Sequence, residues 1–207
     1  MIEKDYVLGW LLFGLSGIRE LTFKGGSALS KVYFPRIWRL SEDLDYVYKK
    51  DFQDMVKALP AIFERIEKLS GIRLALKTRH SNPEYLQLKI QYDAVHGRNW
   101  ITVDVTREAP INRVSSRKVS QAYSDYPPFR VRVESVEEIF AEKIRSLVER
   151  KKCRDYYEVW QLMKLKPDRD KLKKLVERKF QHQVRSTLIA EFTGPVQKLL
   201  PNYLSTV

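Results

Sequence analysis

Apolar residues recur along this chain with two different periods. The run from Val7 to Ile18 is uncharged and almost continuous, and it predicts a buried first helix whose Gly9, Gly14 and Gly17 permit close packing. Leu21, Thr22 and Phe23 read as a short strand, broken by Gly25-Gly26; Ser27 is placed to cap a helix reaching about Tyr33. Alternation then takes over. Leu44, Tyr46 and Tyr48 point to one side of a strand, into a core, while Asp43 and Asp45 share the other. From Asp51 to Leu69 helical spacing returns in Phe52, Val56, Leu59, Ile62, Phe63, Ile66 and Leu69, with Pro60 expected to kink or divide the helix. Three strands are predicted near Ile72–Thr78, Tyr85–Tyr92 and Trp100–Arg107, separated by turns at Ser81-Asn82-Pro83 and His96-Gly97-Arg98-Asn99. Residues 107–133, with Pro110, Pro127 and Pro128, read as irregular.

Helices follow to the end. Ser135-Val136-Glu137-Glu138 is a capping box opening a helix with the stripe Val136, Ile139, Phe140, Leu147 and Val148. Arg150 to Glu158 reads as a turn entering a second helix, and further helices are expected from Pro167. The pattern therefore predicts an α+β chain, with a sheet-bearing domain over 1–133 and a helical domain over 134–207.

Composition narrows this picture. The 207 residues suffice for one domain with a substantial core or a small domain with a helical partner, and 43% hydrophobic with 31% charged residues is usual for a soluble globular protein. The single Cys153 excludes an intrachain disulfide framework and fits a reducing cytoplasm, and the three scattered histidines make no zinc pattern. No GxxxxGK[ST] loop occurs. The Val7–Ile18 run is too short to span a bilayer, and Glu3, Lys4 and Asp5 before it are not a secretion leader, so no membrane partner is expected. A net charge of +12 points to a polyanionic partner such as nucleic acid.

The candidate chemistry lies between Phe23 and Tyr48. Two carboxylates side by side at Asp43 and Asp45 repel unless something positive sits between them, and a hard divalent cation with oxygen ligands fits. Glycines at 25 and 26 let backbone N–H groups approach a ligand, and a helix N-terminus favours phosphate oxygens. Strand, Gly-Gly-Ser, helix, strand with Asp-x-Asp thus describes a phosphate cradle facing a metal site. Asp104 shares a strand face with Thr102 and Thr106, opposite Ile101, Val103 and Val105, and an aspartate in an apolar strand needs a reason. The 107–133 segment interleaves Arg107, Arg113, Arg117, Lys118, Arg130 and Arg132 with Tyr123, Tyr126 and Phe129; these are the residue types that contact single-stranded nucleic acid, and they equally describe a solvated loop anchored by its aromatics. Lys143 falls on the apolar stripe of its helix, where it snorkels outward or meets an anion.

Phe23-Lys24-Gly25-Gly26-Ser27-Ala28-Leu29, followed by Ser41-Glu42-Asp43-Leu44-Asp45, resembles the AbiEii/AbiGii-type toxin nucleotidyltransferases of the polymerase-beta-like superfamily. The resemblance is sharp over about 20–48, fair over 98–108 and 134–160, and unspecific beyond. It implies a polymerase-beta-like nucleotidyltransferase core with a mixed sheet, followed by a C-terminal helical bundle. It implies an enzyme that moves a nucleoside monophosphate from an NTP to a hydroxyl, using Mg²⁺, with Mn²⁺ as the alternative. Asp43 and Asp45 would bind metal, and Asp104 would complete the site from a neighbouring strand, with Asp93 in reserve. Lys24, Gly25, Gly26, Ser27 and Ser41 would surround the nucleotide, with Arg39 adding charge. Lys143 would contact its phosphates, and Arg154-Asp155 matches a family pair, with Glu158 standing where a second aspartate is common. The acceptor implied is RNA, at the 3′ end of a tRNA, and the implied protein partner is a cognate antitoxin.

Two other functions fit the same scaffold. One is a nucleotide- or RNA-binding protein with weak catalysis, though carboxylates without a metal hinder RNA binding. The other is a small-molecule nucleotidyltransferase of the aminoglycoside type, which would want an acidic acceptor pocket rather than the basic 107–133 segment.

Overall fold

The computed structural model describes residues 2–34, 42–95, 97–150 and 153–180. The chain divides into two compact units, Met1–Val136 and Glu137–Val207. In the first, in chain order, are α1 (Ile2–Leu15), β1 (Thr22–Lys24), α2 (Gly25–Ala28) running into a π-helical turn at Leu29–Tyr33, β2 (Asp43–Val47) and α3 (Phe52–Ser70). They are followed by β3 (Leu74–Ser81), β4 (Tyr85–Ala94), β5 (Gly97–Thr106), β6 (Ser115–Lys118) and β7 (Arg130–Val133).

The strands form one mixed sheet in the order β3-β4-β5-β2-β1-β7-β6. β2 runs parallel to β5, and β1 parallel to β7; the other pairs are antiparallel. Period-two alternation decides which face is buried. Leu44 and Tyr46 of β2, Leu86, Leu88, Ile90 and Tyr92 of β4, and Ile101, Val103 and Val105 of β5 are all buried. α1 packs against α3, β2 and β5. Truncating one of these buried aliphatic side chains to alanine costs about 2–5 kcal/mol, so the sheet face they form is the rigid support of the opposite face.

α1 is buried nearly all round, as its continuous apolar run predicts. Gly9 and Gly14 do permit close packing: a Cβ on Gly9 would stand 2.5 Å from the Tyr126 ring, and one on Gly14 would stand 2.6 Å from Ile62. Gly17 lies beyond the helix and has no such neighbour. Asp5 of α1 makes a buried ion pair with Lys31 of the π turn at 2.7 Å. An ion pair this buried is costly to break by removing one partner, so it ties the helical turn after Gly25-Gly26 to α1.

Pro60 does not divide α3, which is continuous. Proline removes one helical N–H, and Pro60 sits on the exposed side, where water can satisfy the carbonyl left over. Asp51 caps the helix start by accepting from the Gln53 N–H, and Gly71 closes the end at φ 74°, a left-handed conformation suited to glycine.

Residues 107–133 are not irregular throughout. Ser115–Lys118 and Arg130–Val133 pair as an antiparallel ribbon, and β7 extends the sheet beside β1. Each strand is four residues long, and the charges hide the alternation of Val131 and Val133, both buried. The aromatic residues of this segment face inward. Tyr126 stacks on Tyr6 and meets Trp10 edge-on, Phe129 meets Phe13, and Tyr123 meets Tyr6. Together with Trp10, Phe13 and Ile66 they form a core cluster. They anchor the segment to α1, so of the two readings open from sequence the anchored loop describes these aromatics and the stacking surface for nucleic acid does not.

The described part of the second unit is helical: α4 (Val136–Arg150, whose first residue closes the first unit), α5 (Cys153–Met163) and α6 (Arg169–Phe180). Each carries acidic residues in its first turn, where they favour the helix dipole. Asp168 caps α6 by accepting from the Lys171 N–H at 3.0 Å. Among the described residues no helix is long and apolar enough to cross a membrane.

Candidate active site

The open face of the sheet gathers the acidic residues. The β2–β5 register pairs Asp43 with Thr102 and Asp45 with Asp104, so Asp45 and Asp104 are direct neighbours on parallel strands. All three aspartates are half-buried, at the surface but backed by the core. β1 lies on the other side of β2 and sets Lys24 opposite Asp45. One short β strand therefore delivers a lysine beside the carboxylates and then turns directly into the glycine pair.

Gly25 explains why the glycine pair and the aspartates occur together. Its φ of 73° is left-handed, and a Cβ there would stand 3.0 Å from Cβ and Cγ of Asp45 and closer still to Oδ2. No other residue fits without displacing the Asp45 carboxylate. Lys24, in extended conformation, is the N-cap of α2. Ser27 is therefore not the cap expected from sequence: it sits inside the turn of helix, and its hydroxyl donates to the backbone carbonyl of Asp43. That bond clamps α2 to the start of β2 and fixes the Gly25–Ser27 turn against the acidic strand.

Asp104 has partners that sequence reasoning missed. Tyr85 Oη–H donates to Asp104 Oδ1, and Gln87 Nε2 donates to the same oxygen at 2.9 Å. Gln87 also bonds Tyr85 Oη at 2.9 Å, so the two hold each other in place. Burial, then the bond to Asp104 and its charge, hold the Tyr85 hydroxyl well above the ordinary phenol range. It stays protonated and remains a donor at any ordinary pH. Burial, followed by the charge of Asp45, likewise raises Tyr46 behind the site. The clue was present in the alternation: Tyr85 and Gln87 fall on the same face of β4, and Gln87 is the register partner of Asp104.

Asp43, Asp45 and Asp104 offer oxygen ligands only, the donor set that suits Mg²⁺ or Mn²⁺. Among the described residues, no three His, Cys, Asp or Glu side chains converge closely enough to be a ready-made metal site. The backbone brings the three aspartates together, while the Asp104 carboxylate is turned toward Tyr85 and Gln87. The chemistry and strand register fit a divalent cation, which would require the side chains to draw closer. Asp93, the reserve candidate, sits four register positions from the end of this group and pairs with Arg73 and Arg98 at the surface.

The remaining predicted residues lie elsewhere. Ser41, Arg39 and the Arg154 side chain are outside the described residues. Lys143 of α4 and Asp155 of α5 belong to the second unit. Lys143 Nζ is 2.7 Å from Glu158 and 3.8 Å from Asp155, and all three side chains are buried. Of the two readings for Lys143, snorkelling or meeting an anion, the second describes this structure, with carboxylates as the anions. Glu158 thus has a partner, although it stands where aspartate was expected. In the same unit Lys179, also buried, pairs with Glu138 at 2.8 Å and Glu142 at 2.9 Å. Burial alone would lower its pKa, but Glu142 and Glu138 outweigh that and raise it. The basic residues of β6 and β7 line an open cavity of about 420 Å³ with Val32, Ser115, Ser116, Arg117, Lys118 and Arg130.

The sequence and the fold have known counterparts. A family model described as nucleotidyl transferase AbiEii toxin, type IV toxin–antitoxin system, matches residues 10–202. The fold is similar to MenT4, a nucleotidyltransferase toxin from Mycobacterium tuberculosis, with a TM-score of 0.67 and 21% identity over 84% of this chain and 62% of that one. It is also similar to JHP933 from Helicobacter pylori, with a TM-score of 0.57 and 18% identity over 79% of this chain and 66% of that one. The chain thus spans less than two thirds of the length of either structure. No curated protein matches the sequence.

Proposed function

The chain belongs to the nucleotidyl transferase AbiEii toxin family, and from that premise we propose that it transfers a nucleoside monophosphate from an NTP to a hydroxyl group of RNA, with release of pyrophosphate. The observation that carries this reading is the register that sets Asp45 of β2 beside Asp104 of β5, next to a turn that only Gly25 can make. Asp43, Asp45 and Asp104 would hold Mg²⁺ or Mn²⁺. Bound there, the metal would neutralise phosphate charge and stabilise the attacking and leaving oxygens.

The chain's own groups do the rest. Lys24 and the backbone of Gly25, Gly26 and Ser27 orient the triphosphate; phosphoryl transfer depends mainly on such positioning and on charge stabilisation. Asp104, oriented by Tyr85 and Gln87, accepts the proton of the attacking hydroxyl. The net charge of +12 favours a polyanionic acceptor, such as the 3′ end of a tRNA, over a cationic drug. As a family member, the protein would be restrained by a cognate antitoxin.

The test incubates the full chain with each α-labelled NTP, Mg²⁺ and total RNA. Label should enter RNA with at least one NTP, and Asp43→Ala or Asp45→Ala should abolish it while the thermal midpoint is retained. Full activity in either variant would sink the assignment. Labelling of an aminoglycoside with none of RNA would move the acceptor to a small molecule.

A further inference from the structure

We infer that Trp100, flanked by Lys77 and Lys89, is a stacking platform for an unpaired base of single-stranded nucleic acid, and that it guides the strand along β5 toward Asp104. The inference rests on the transferase reading for the direction of the strand, but not for its binding.

Three observations carry it. First, Trp100, Thr102 and Asp104 alternate on one face of β5, opposite the buried Ile101 and Val103. Four residues of strand separate Trp100 from Asp104 by about 13 Å, or about four stacked-base spacings of about 3.4 Å each. Second, Trp100 is 43% exposed, a large ring left open on the same face as the carboxylates. The aromatic residues of 107–133, by contrast, are used up in anchoring that segment to α1. Third, Lys77 Nζ and Lys89 Nζ stand 5.4 and 6.0 Å from the ring centroid, at the outer reach of cation–π contact. Their long flexible stems let each ammonium move to a neighbouring phosphate while a base occupies the ring face. A ring for the base with cations for the backbone is the composition that single-strand binding requires.

A protein partner is disfavoured by the surroundings. Thr102 lies two residues along the strand and Gln91 is the register partner of Trp100, so with both lysines the ring is bordered by polar groups. Docking hot spots need an aromatic anchor within a desolvated patch, and none surrounds this ring.

The full chain is titrated into a fluorescein-labelled single-stranded RNA 12-mer in EDTA, so that binding is read without catalysis. Trp100→Ala should weaken binding roughly five- to hundred-fold, and Trp100→Phe should restore it to within a few-fold. Lys77→Ala and Lys89→Ala should each lower the slope of log K against log salt by about 0.7. A duplex of the same sequence should be insensitive to Trp100→Ala. Binding of the Ala variant within two-fold of the parent, equal weakening for duplex, or no binding by the parent overturns the inference. If Trp100 dependence is found but no NTP is ever consumed, the platform stands and the transferase reading falls.

Discussion

The molecule contains two kinds of acidic cluster, and they are resolved in different ways. In the second unit, carboxylates surround lysines: Glu158 and Asp155 around Lys143, Glu138 and Glu142 around Lys179, all buried. On the sheet face, Asp104 is met by the neutral donors Tyr85 and Gln87, and its register neighbour is another acid, Asp45. Each lysine-centred cluster sets two buried carboxylates around one buried cation, and removing that cation would leave them uncompensated. Asp104, oriented by neutral donors, lies beside a second carboxylate that has Lys24 as its register partner on the other strand, an arrangement at the sheet surface that suits a cation and a triphosphate. Acidic residues alone do not distinguish the two; the identity of their partners does.

Substitutions in one cluster at a time separate the two. The largest effect is expected at Asp45→Asn, which should lower nucleotide transfer by at least about 10³-fold, on the order of 4 kcal/mol, while leaving the urea midpoint unchanged or higher because a like-charge neighbour is relieved. Lys179→Ala should do the opposite to stability. It leaves Glu138 and Glu142 buried without their cation, at a cost of about 3–5 kcal/mol, read as a lower urea midpoint for the second unit; an unchanged midpoint would show that the cluster is not a stabilising one. Gly25→Ala falls between the two. The left-handed backbone costs about 1–3 kcal/mol for other residues, and the new methyl group displaces Asp45, so activity should fall more than the thermal midpoint does. The smallest effect concerns the hydroxyl partners of the first unit. Burial, then the charge of Asp5, raises Tyr123 to about 12. A raised phenol favours the folded state below its unfolded value near 10, and that stability is lost as pH rises from 10 through 12. Tyr123→Phe should flatten that alkaline decline; an identical curve would separate Tyr123 from it.

Much of the sheet site was legible in the sequence because strand alternation is short-range. Asp43, Asp45 and Asp104 each fall opposite buried aliphatic or aromatic neighbours, and that pattern needs no knowledge of the fold. What escaped depends on which strands lie together. Tyr85 and Gln87 meet Asp104 only because β4 pairs with β5 in one register, and Glu158 meets Lys143 only when α5 packs on α4. β6 and β7 were hidden by their charges and brevity. Tyr123, Tyr126 and Phe129 leave two readings open in the sequence because an aromatic residue among arginines looks the same whether it anchors a loop or faces a base; only the residues of α1 decide which.

The parallel pairing of β2 with β5 has a consequence for biosynthesis. Parallel neighbours cannot be joined by a tight hairpin, so Asp45 is synthesised well before Asp104, and β1 gains its other neighbour only when Val133 has emerged. A growing or prematurely terminated polypeptide carries the Asp-x-Asp strand without its counterpart. A site that depends on the assembled pair is thereby completed only when nearly the entire first unit has been made.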